Sequence, residues 1–146
     1  MLTTPHSLVG ATIAVVVPSP VLSIPLALGS HFVLDMIPHW QEILHPYKVT
    51  YKTWIRIPID LGVAIFLVNI IANHHLGIAN AIWINAFMAN LPDFDSIGFI
   101  WSLPLKNKLF KGFFDWHLAI QRETSSFWGI MNQLVLSGGC LFISLR

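Results

Sequence analysis

The residues of this chain that could do chemistry are few and of two kinds. Histidines and carboxylates stand at His6, at His31, Asp35 and His39, at Asp60, at Asp93 and Asp95, and at His117 and Glu123, with Arg122 beside the last. Neutral imidazole nitrogens and carboxylate oxygens are the ligand set for divalent zinc, manganese or iron. His31 and Asp35 are four apart, which puts both on one face of a helix. Each group also has a plainer reading. His31 and Asp35 could be a hydrogen-bonded pair inside a bundle, and Asp93 and Asp95 could simply follow the helix end at Pro92. His6 could be an interfacial histidine, and Asp60 could pair with Arg56 one turn earlier. His45, just before Pro46, reads as surface. The lone cysteine, Cys140, lies in an apolar run and reads as a small buried hydrophobe, which excludes an internal disulfide framework.

The elements that must position these groups are apolar helices. Of the 146 residues, 55% are hydrophobic and only 10% charged, against roughly 25% charged in an ordinary soluble domain. That deficit leaves too little polar cover for a water-facing surface, so a lipid bilayer is the expected surroundings. The segment before the first apolar run, Met1 to His6, has no basic stretch of the secretory-leader type, so that run is expected to stay in the mature protein. The length suits one domain, residues 1–146.

Prolines and polar turns divide the chain. A first helix is expected over about 4–17, with Thr4 as cap and Pro5 in its first turn. A second is expected over 21–37, ended by Pro38. A loop covers 39–53, and a third helix over 54–73 is long enough for a hydrocarbon core of ~30 Å. A turn at Asn73 to Gly77 leads to a fourth helix over 78–91, stopped by Pro92. A lysine-bearing loop follows, and a last helical region runs from about Asp115 to Leu145, with a break near Thr124. The first, second and fourth helices are short for complete spans. The fold class expected is an all-α polytopic membrane helix bundle of four to five helices, arranged as two related helical hairpins plus a C-terminal helix. A faint internal echo supports the hairpins: Asp35-Met36-Ile37-Pro38-His39 and Ala89-Asn90-Leu91-Pro92-Asp93 both stop at proline and place a ligand-type residue directly after it.

If every helix crosses, Lys48, Lys52, Arg56, Lys106, Lys108, Lys111 and Arg122 share one side and Arg146 alone holds the other. This asymmetry predicts that the loop-rich side is cytoplasmic, with the N-terminus inside. Trp40, Trp54, Trp101 and Trp116 fall near helix ends, as an interfacial belt would. The same layout gathers His6, His31, Asp35, His39, Asp60, Asp93, Asp95, His117 and Glu123 on the cytoplasmic face, and leaves His74 and His75 opposite. Ionisable groups at membrane depth cost about 2.5–3.5 kcal/mol each on insertion scales. So many on one face are expected to bind one another or a cation.

The runs Pro5-His6-Ser7-Leu8-Val9-Gly10, Ser30-His31-Phe32-Val33-Leu34-Asp35-Met36-Ile37-Pro38-His39 and Leu91-Pro92-Asp93-Phe94-Asp95 resemble a group of bacterial inner-membrane proteins. These are the predicted membrane-bound metal-dependent hydrolases of the YdjM-like family. The run from His117 to Ser126 is similar to that family's histidine-rich segment, which usually has the form His-Arg-Gly-x-Thr-His-Ser. Here Glu123 stands near the place of the second histidine. The resemblance implies a multi-helix inner-membrane protein with a metal site and hydrolase activity.

The expected metal ligands are His6, Asp35, His39, Asp93 and His117. His31 and Asp95 are expected to be further ligands or groups that orient them. Zinc or manganese is the expected ion, Glu123 the general base, and Arg122 the group that neutralises an anionic substrate. Esters or phosphoesters of phospholipid-like molecules are the expected substrates from location alone; no nucleic-acid partner is expected, and a homo-oligomer is left open. Two rival readings stand beside this one. The first is an ion- or proton-handling protein with Asp35, Asp60 and His31 as a relay. The second is a non-catalytic membrane protein whose polar or metal cluster is structural.

Overall fold

The computed structural model describes residues 1–41, 50–95 and 108–146, and six helices lie among them. The expectations for His45, Lys48, Trp101 and Lys106 lie outside these residues. The helices are α1 (Thr3–Val16), α2 (Pro20–Asp35), α3 (Tyr51–His74), α4 (Ala79–Asn90), α5 (Lys108–Ile120) and α6 (Ser126–Ser144). Single 3-10 turns at Leu76–Ile78 and Leu91–Asp93 flank α4. Among the described residues extended pairing is limited to one isolated parallel bridge, His39 with Glu123. The all-helical expectation holds.

Three boundaries differ from the sequence reading, each for a physical reason. α2 stops at Asp35, two residues before Ile37, and closes with a turn in which Ile37 N–H donates to the Leu34 carbonyl at 3.0 Å. α3 starts at Tyr51 because Thr50 and Thr53 form a reciprocal cap: Thr53 N–H donates to Thr50 Oγ1 at 3.4 Å and Thr50 N–H to Thr53 Oγ1 at 3.2 Å. α5 occupies part of the expected loop. Its Phe114 and His117 are buried one turn apart, while Lys108, Lys111 and Asp115 face outward and Lys111 pairs with Asp115 at 2.5 Å. The lysines hid that period.

The start of α1 is also held differently. Thr4 is not its cap; the N-cap is Leu2, which has no side chain able to serve. Asp60 of α3 caps the helix from outside. Its Oδ2 accepts from Thr3 N–H at 2.6 Å, and its Oδ1 accepts from Thr4 N–H at 3.2 Å and from Thr4 Oγ1 at 2.6 Å. A carboxylate at a helix N-terminus satisfies free N–H groups and suits the dipole. Asp60 is thus committed to the start of α1.

α1 is the central helix, packed against α2, α3, α4 and α6. The core it shares with α3, α4 and α6 comprises Leu8, Ala11, Ala14, Val68, Ile71, Ala72, Ile82, Ala86 and Cys140. Small side chains let α1 and α4 approach closely, and Gly10 marks the closest point: a Cβ there would strike the Asn85 carbonyl and come within 2.9 Å of Ala89 Cβ. At the end of the bundle remote from Asp35, Thr12 Oγ1 lies 2.9 Å from Ser144 Oγ, and His75 Nε2 lies 2.6 Å from the Ser144 carbonyl. These contacts fasten α1, α3 and α6 together.

Among the described residues two helices, α3 with 24 residues and α6 with 19, are long and apolar enough to cross a membrane. In each, only 22% of the most apolar window is buried within the protein, so these are not enclosed core helices. Their outer faces carry exposed Ile59, Val63, Phe66, Phe127, Leu134 and Phe142.

Gly10→Ala is expected to lower stability by about 1–3 kcal/mol, because overpacking here meets backbone. Gly62→Ala, whose new methyl would meet nothing within 4 Å, is expected to be neutral or stabilising by up to ~1 kcal/mol. Thermal unfolding in detergent checks the pair; equal behaviour would contradict the packing described.

Candidate metal centre

Four separate helix ends deliver the side chains of the site. α1 contributes His6 from its first turn, and α2 contributes His31 and Asp35 from its last two turns. The turn after α4 brings Asp93 and Asp95, and α5 brings His117. His31, Asp35, Asp93 and His117 each offer one ligand atom within 4.8 Å of the other three. His31 and Asp35 are fully enclosed, His117 and Asp95 nearly so, and Asp93 is a third exposed at the rim. The Phe32 ring stands nearly perpendicular to both imidazoles, with centroids 5.5 Å from His31 and 5.6 Å from His117.

The positions of the protons follow from what lies behind each imidazole. His31 Nδ1 sits 2.7 Å from the Ala89 carbonyl, in the last turn of α4, and a carbonyl only accepts. The Nδ1–H therefore points there and the Nε2 lone pair points into the site. His117 Nδ1 sits 2.8 Å from Asp95 Oδ2, so this ring is oriented in the same way by a carboxylate. Such carboxylate or carbonyl partners behind a ring are what fix metal-binding histidines. The inward-facing atoms, His31 Nε2, His117 Nε2 and Asp35 Oδ2, form a nearly equilateral triangle with sides of 3.0, 3.0 and 3.1 Å. Asp93 Oδ1 is the fourth candidate ligand atom, 3.5 Å from His31 Nε2.

Three acceptors this close repel unless a cation or proton lies among them. Ions with bonds of about 2.0–2.2 Å to nitrogen and oxygen require neighbouring ligand atoms about 2.9–3.5 Å apart, depending on coordination number. The observed spacing fits. Without a metal the cation is a proton on His117: burial alone would lower its pKa, but the hydrogen bonds to Asp35 and Asp95 outweigh burial and push it up to about 9.

A second set of groups lies on the other side of Asp35. Its Oδ1 is 2.7 Å from the Met1 ammonium and 3.3 Å from His6 Nε2. The His6 ring stacks on His31 with centroids 4.1 Å apart and planes at 16°. His6 is fully buried, and neither of its nitrogens has a hydrogen-bond partner among the described residues. His39 is fully buried too; its Nδ1–H donates to the Ile37 carbonyl at 2.8 Å, and its Nε2 has no such partner. Burial holds the His39 imidazole below the ordinary histidine range, with the nearby Met1 ammonium acting in the same sense. A buried polar atom left without a partner costs about 1–3 kcal/mol.

Glu123 and Arg122 enter through the backbone. The segment after α5 pairs with the segment after α2: Arg122 N–H donates to the Asp35 carbonyl at 3.0 Å, His39 N–H to the Arg122 carbonyl at 2.9 Å, and Thr124 N–H to the His39 carbonyl at 3.0 Å. Both side chains are exposed. Glu123 lines a half-open cleft of about 300 Å³ with Trp40, Gln41, Thr124 and Ser126. The start of α6 presses flat on this segment, and a Cβ at Gly129 would lie 2.7 Å from the His39 carbonyl carbon.

Of the seven expected ligands, His31, Asp35, Asp93 and His117 converge on one point, Asp95 stands behind His117, His6 meets the other oxygen of Asp35, and His39 lies within the electrostatic reach of Asp35 and the Met1 ammonium. The sequence reading missed the glutamines. Gln41 Oε1 accepts from the Met1 ammonium at 3.0 Å, and Gln41 Nε2 donates to Gln121 Oε1. Gln133 Oε1 accepts from Leu2 N–H at 2.9 Å while its Nε2 donates to the Trp40 carbonyl at 2.8 Å. A neutral amide carries no charge or spacing that would mark it in a sequence.

A metal ion must displace the His117 proton. Since that proton is bound below pH 9 or so, apparent affinity for Zn²⁺ should rise with pH, by about tenfold per unit between roughly pH 6 and pH 8 from this group alone. Titration with a competing chelator at several pH values measures this; an affinity that is flat or falls with pH would contradict the assignment. No protein-family model, curated protein or solved structure matches this chain, so its function is read from the geometry of these side chains.

Proposed function

We propose that this chain is a multi-pass protein of the bacterial inner membrane, N-terminus in the cytoplasm, carrying a metal-dependent hydrolase centre at the cytoplasmic surface, as in the YdjM-like family it resembles. The observation that carries the reading is the triangle of His31 Nε2, His117 Nε2 and Asp35 Oδ2 with Asp93 at its open rim. It supports a divalent ion, zinc or manganese, held by two imidazoles and two carboxylates.

The membrane part of the proposal draws on the uncovered apolar faces of α3 and α6 and on the charges. Lys52, Arg56, Lys108, Lys111 and Arg122 belong to the helix starts and segments at the site end of the bundle, and Arg146 follows the Ser144 contact at the far end. Arg56 lies over the Trp40 ring at 5.5 Å, a suitable pairing for an interface. Asp60, one turn past Arg56, meets the start of α1, which supports a centre near headgroup depth. α1, α2 and α4 have 14, 16 and 12 residues and would cross only where the bilayer is thin or the longer helices shield them.

A metal bound here would lower the pKa of a bound water and polarise an ester or phosphoester oxygen. The chain's own residues do the rest. His31, His117, Asp35 and Asp93 bind. The Ala89 carbonyl and Asp95 fix the two rings. Phe32, Phe113 and Trp116, in mutual ring contact, exclude water from the α2–α5 side. Glu123, on the cleft beside Trp40 and Gln41, accepts a proton, and the neighbouring Arg122 meets an anionic group. Lipid-like phosphoesters are the substrate class that location favours.

A structural metal is the second reading, favoured by the complete enclosure of His31 and Asp35. Hydrolysis of a chromogenic phosphodiester and of phosphatidic acid by protein in nanodiscs, with metal content measured in parallel, separates the two. Asp35→Ala and His117→Ala should lose metal and activity together. Glu123→Gln should keep the metal and lose about 10²–10⁴-fold in turnover. Tightly bound metal in a wild-type protein that turns over neither substrate would favour the structural reading, and no metal would end both.

A further inference from the structure

Only one carboxylate oxygen of Asp35 is used in the centre described above. The other, Oδ1, faces a second group of donors. Five buried side-chain atoms lack a hydrogen-bond partner among the described residues, and three of them belong to His6 and His39. His6 Nε2 reaches to 3.3 Å from Asp35 Oδ1 without hydrogen-bond geometry. His39 Nε2 carries a lone pair, since the ring proton is given to the Ile37 carbonyl. That ring lies beside the Gln41 side chain and within the electrostatic reach of both Asp35 and the Met1 ammonium. Gln41 Oε1 and Asp35 Oδ1 both point at the same cation, the Met1 ammonium, at 3.0 and 2.7 Å.

We propose that the Oδ1 side of Asp35 is a second divalent-cation position, held by His6 Nε2, Asp35 Oδ1, His39 Nε2 and Gln41 Oε1, so that Asp35 bridges two ions. The inference rests on the first centre being a metal site, because Asp35 is shared. The donor set is two imidazoles, a carboxylate and an amide oxygen, which suits a first-row divalent ion rather than calcium or magnesium. The location already attracts positive charge: a monovalent ammonium sits on Asp35 Oδ1, and a divalent ion takes its place there. The stacking of His6 on His31 keeps the two donor groups side by side with only the Asp35 carboxylate between them. A carboxylate bridging two ions is a familiar arrangement in hydrolytic two-metal centres, where the ions lie about 3.5–4 Å apart.

Metal content of tag-free full-length protein in detergent, after dialysis against Zn²⁺ alone or Mn²⁺ alone, tests this. Two ions per chain are expected in the wild type, one in His6→Ala and one in His39→Ala. Electron paramagnetic resonance of the Mn²⁺-loaded wild type should show a spin-coupled pair, replaced by an isolated Mn²⁺ signal in His6→Ala. One ion per chain in the wild type, with no coupling, overturns the second position and leaves the first centre standing. Two ions retained in both histidine variants also overturn it. No ion in the wild type removes the first centre as well. The wild-type stoichiometry is decisive even if a variant fails to fold.

Discussion

The structure turns on three atoms that would repel one another without a cation among them. His31 Nε2, His117 Nε2 and Asp35 Oδ2 are held about 3 Å apart in an enclosed, apolar part of the bundle. Each ring is locked from behind, one by a helix carbonyl and the other by a carboxylate, so neither can turn a donor inward without losing a hydrogen bond. Low dielectric strengthens that repulsion and equally strengthens attraction for any cation placed between them. A proton on His117 is the minimum that settles the site, and the same four residues could hold a metal ion there.

Much of the remaining fold keeps these atoms in register. Asp60 fixes where α1 begins, and Gly10 fixes how close α1 lies to α4, whose last carbonyls orient His31. The pairing of 35–39 with 122–124 ties the end of α2 to the end of α5, and so couples Asp35 to His117 through backbone as well as side chain. Gly129 lets α6 close over that pairing. The apolar faces of α3 and α6 remain uncovered, so the surroundings rather than the chain must satisfy them.

The sequence made the helices and the convergence legible because both depend on coarse features. Apolar runs ended by Pro38 and Pro92 mark helix ends, and short connections force antiparallel neighbours. Ionisable residues at the ends of α1, α2 and α4 must then meet. What stayed hidden depended on particular partners. Asp60 reads as a mate for Arg56 by spacing, yet it caps a different helix, a contact that exists only after packing. α5 was obscured because lysines on its outer face resemble a loop. The division of the histidines between the two oxygens of Asp35, and the part taken by Gln41 and Gln133, have no counterpart in any local pattern.

Zinc K-edge X-ray absorption on the purified, membrane-reconstituted protein tests the central claim most directly. The account predicts a first shell of nitrogen and oxygen only, at about 2.0–2.2 Å, with the outer-shell scattering of imidazole. A shell containing sulfur from Cys140, or a spectrum of hydrated zinc without imidazole, would contradict it.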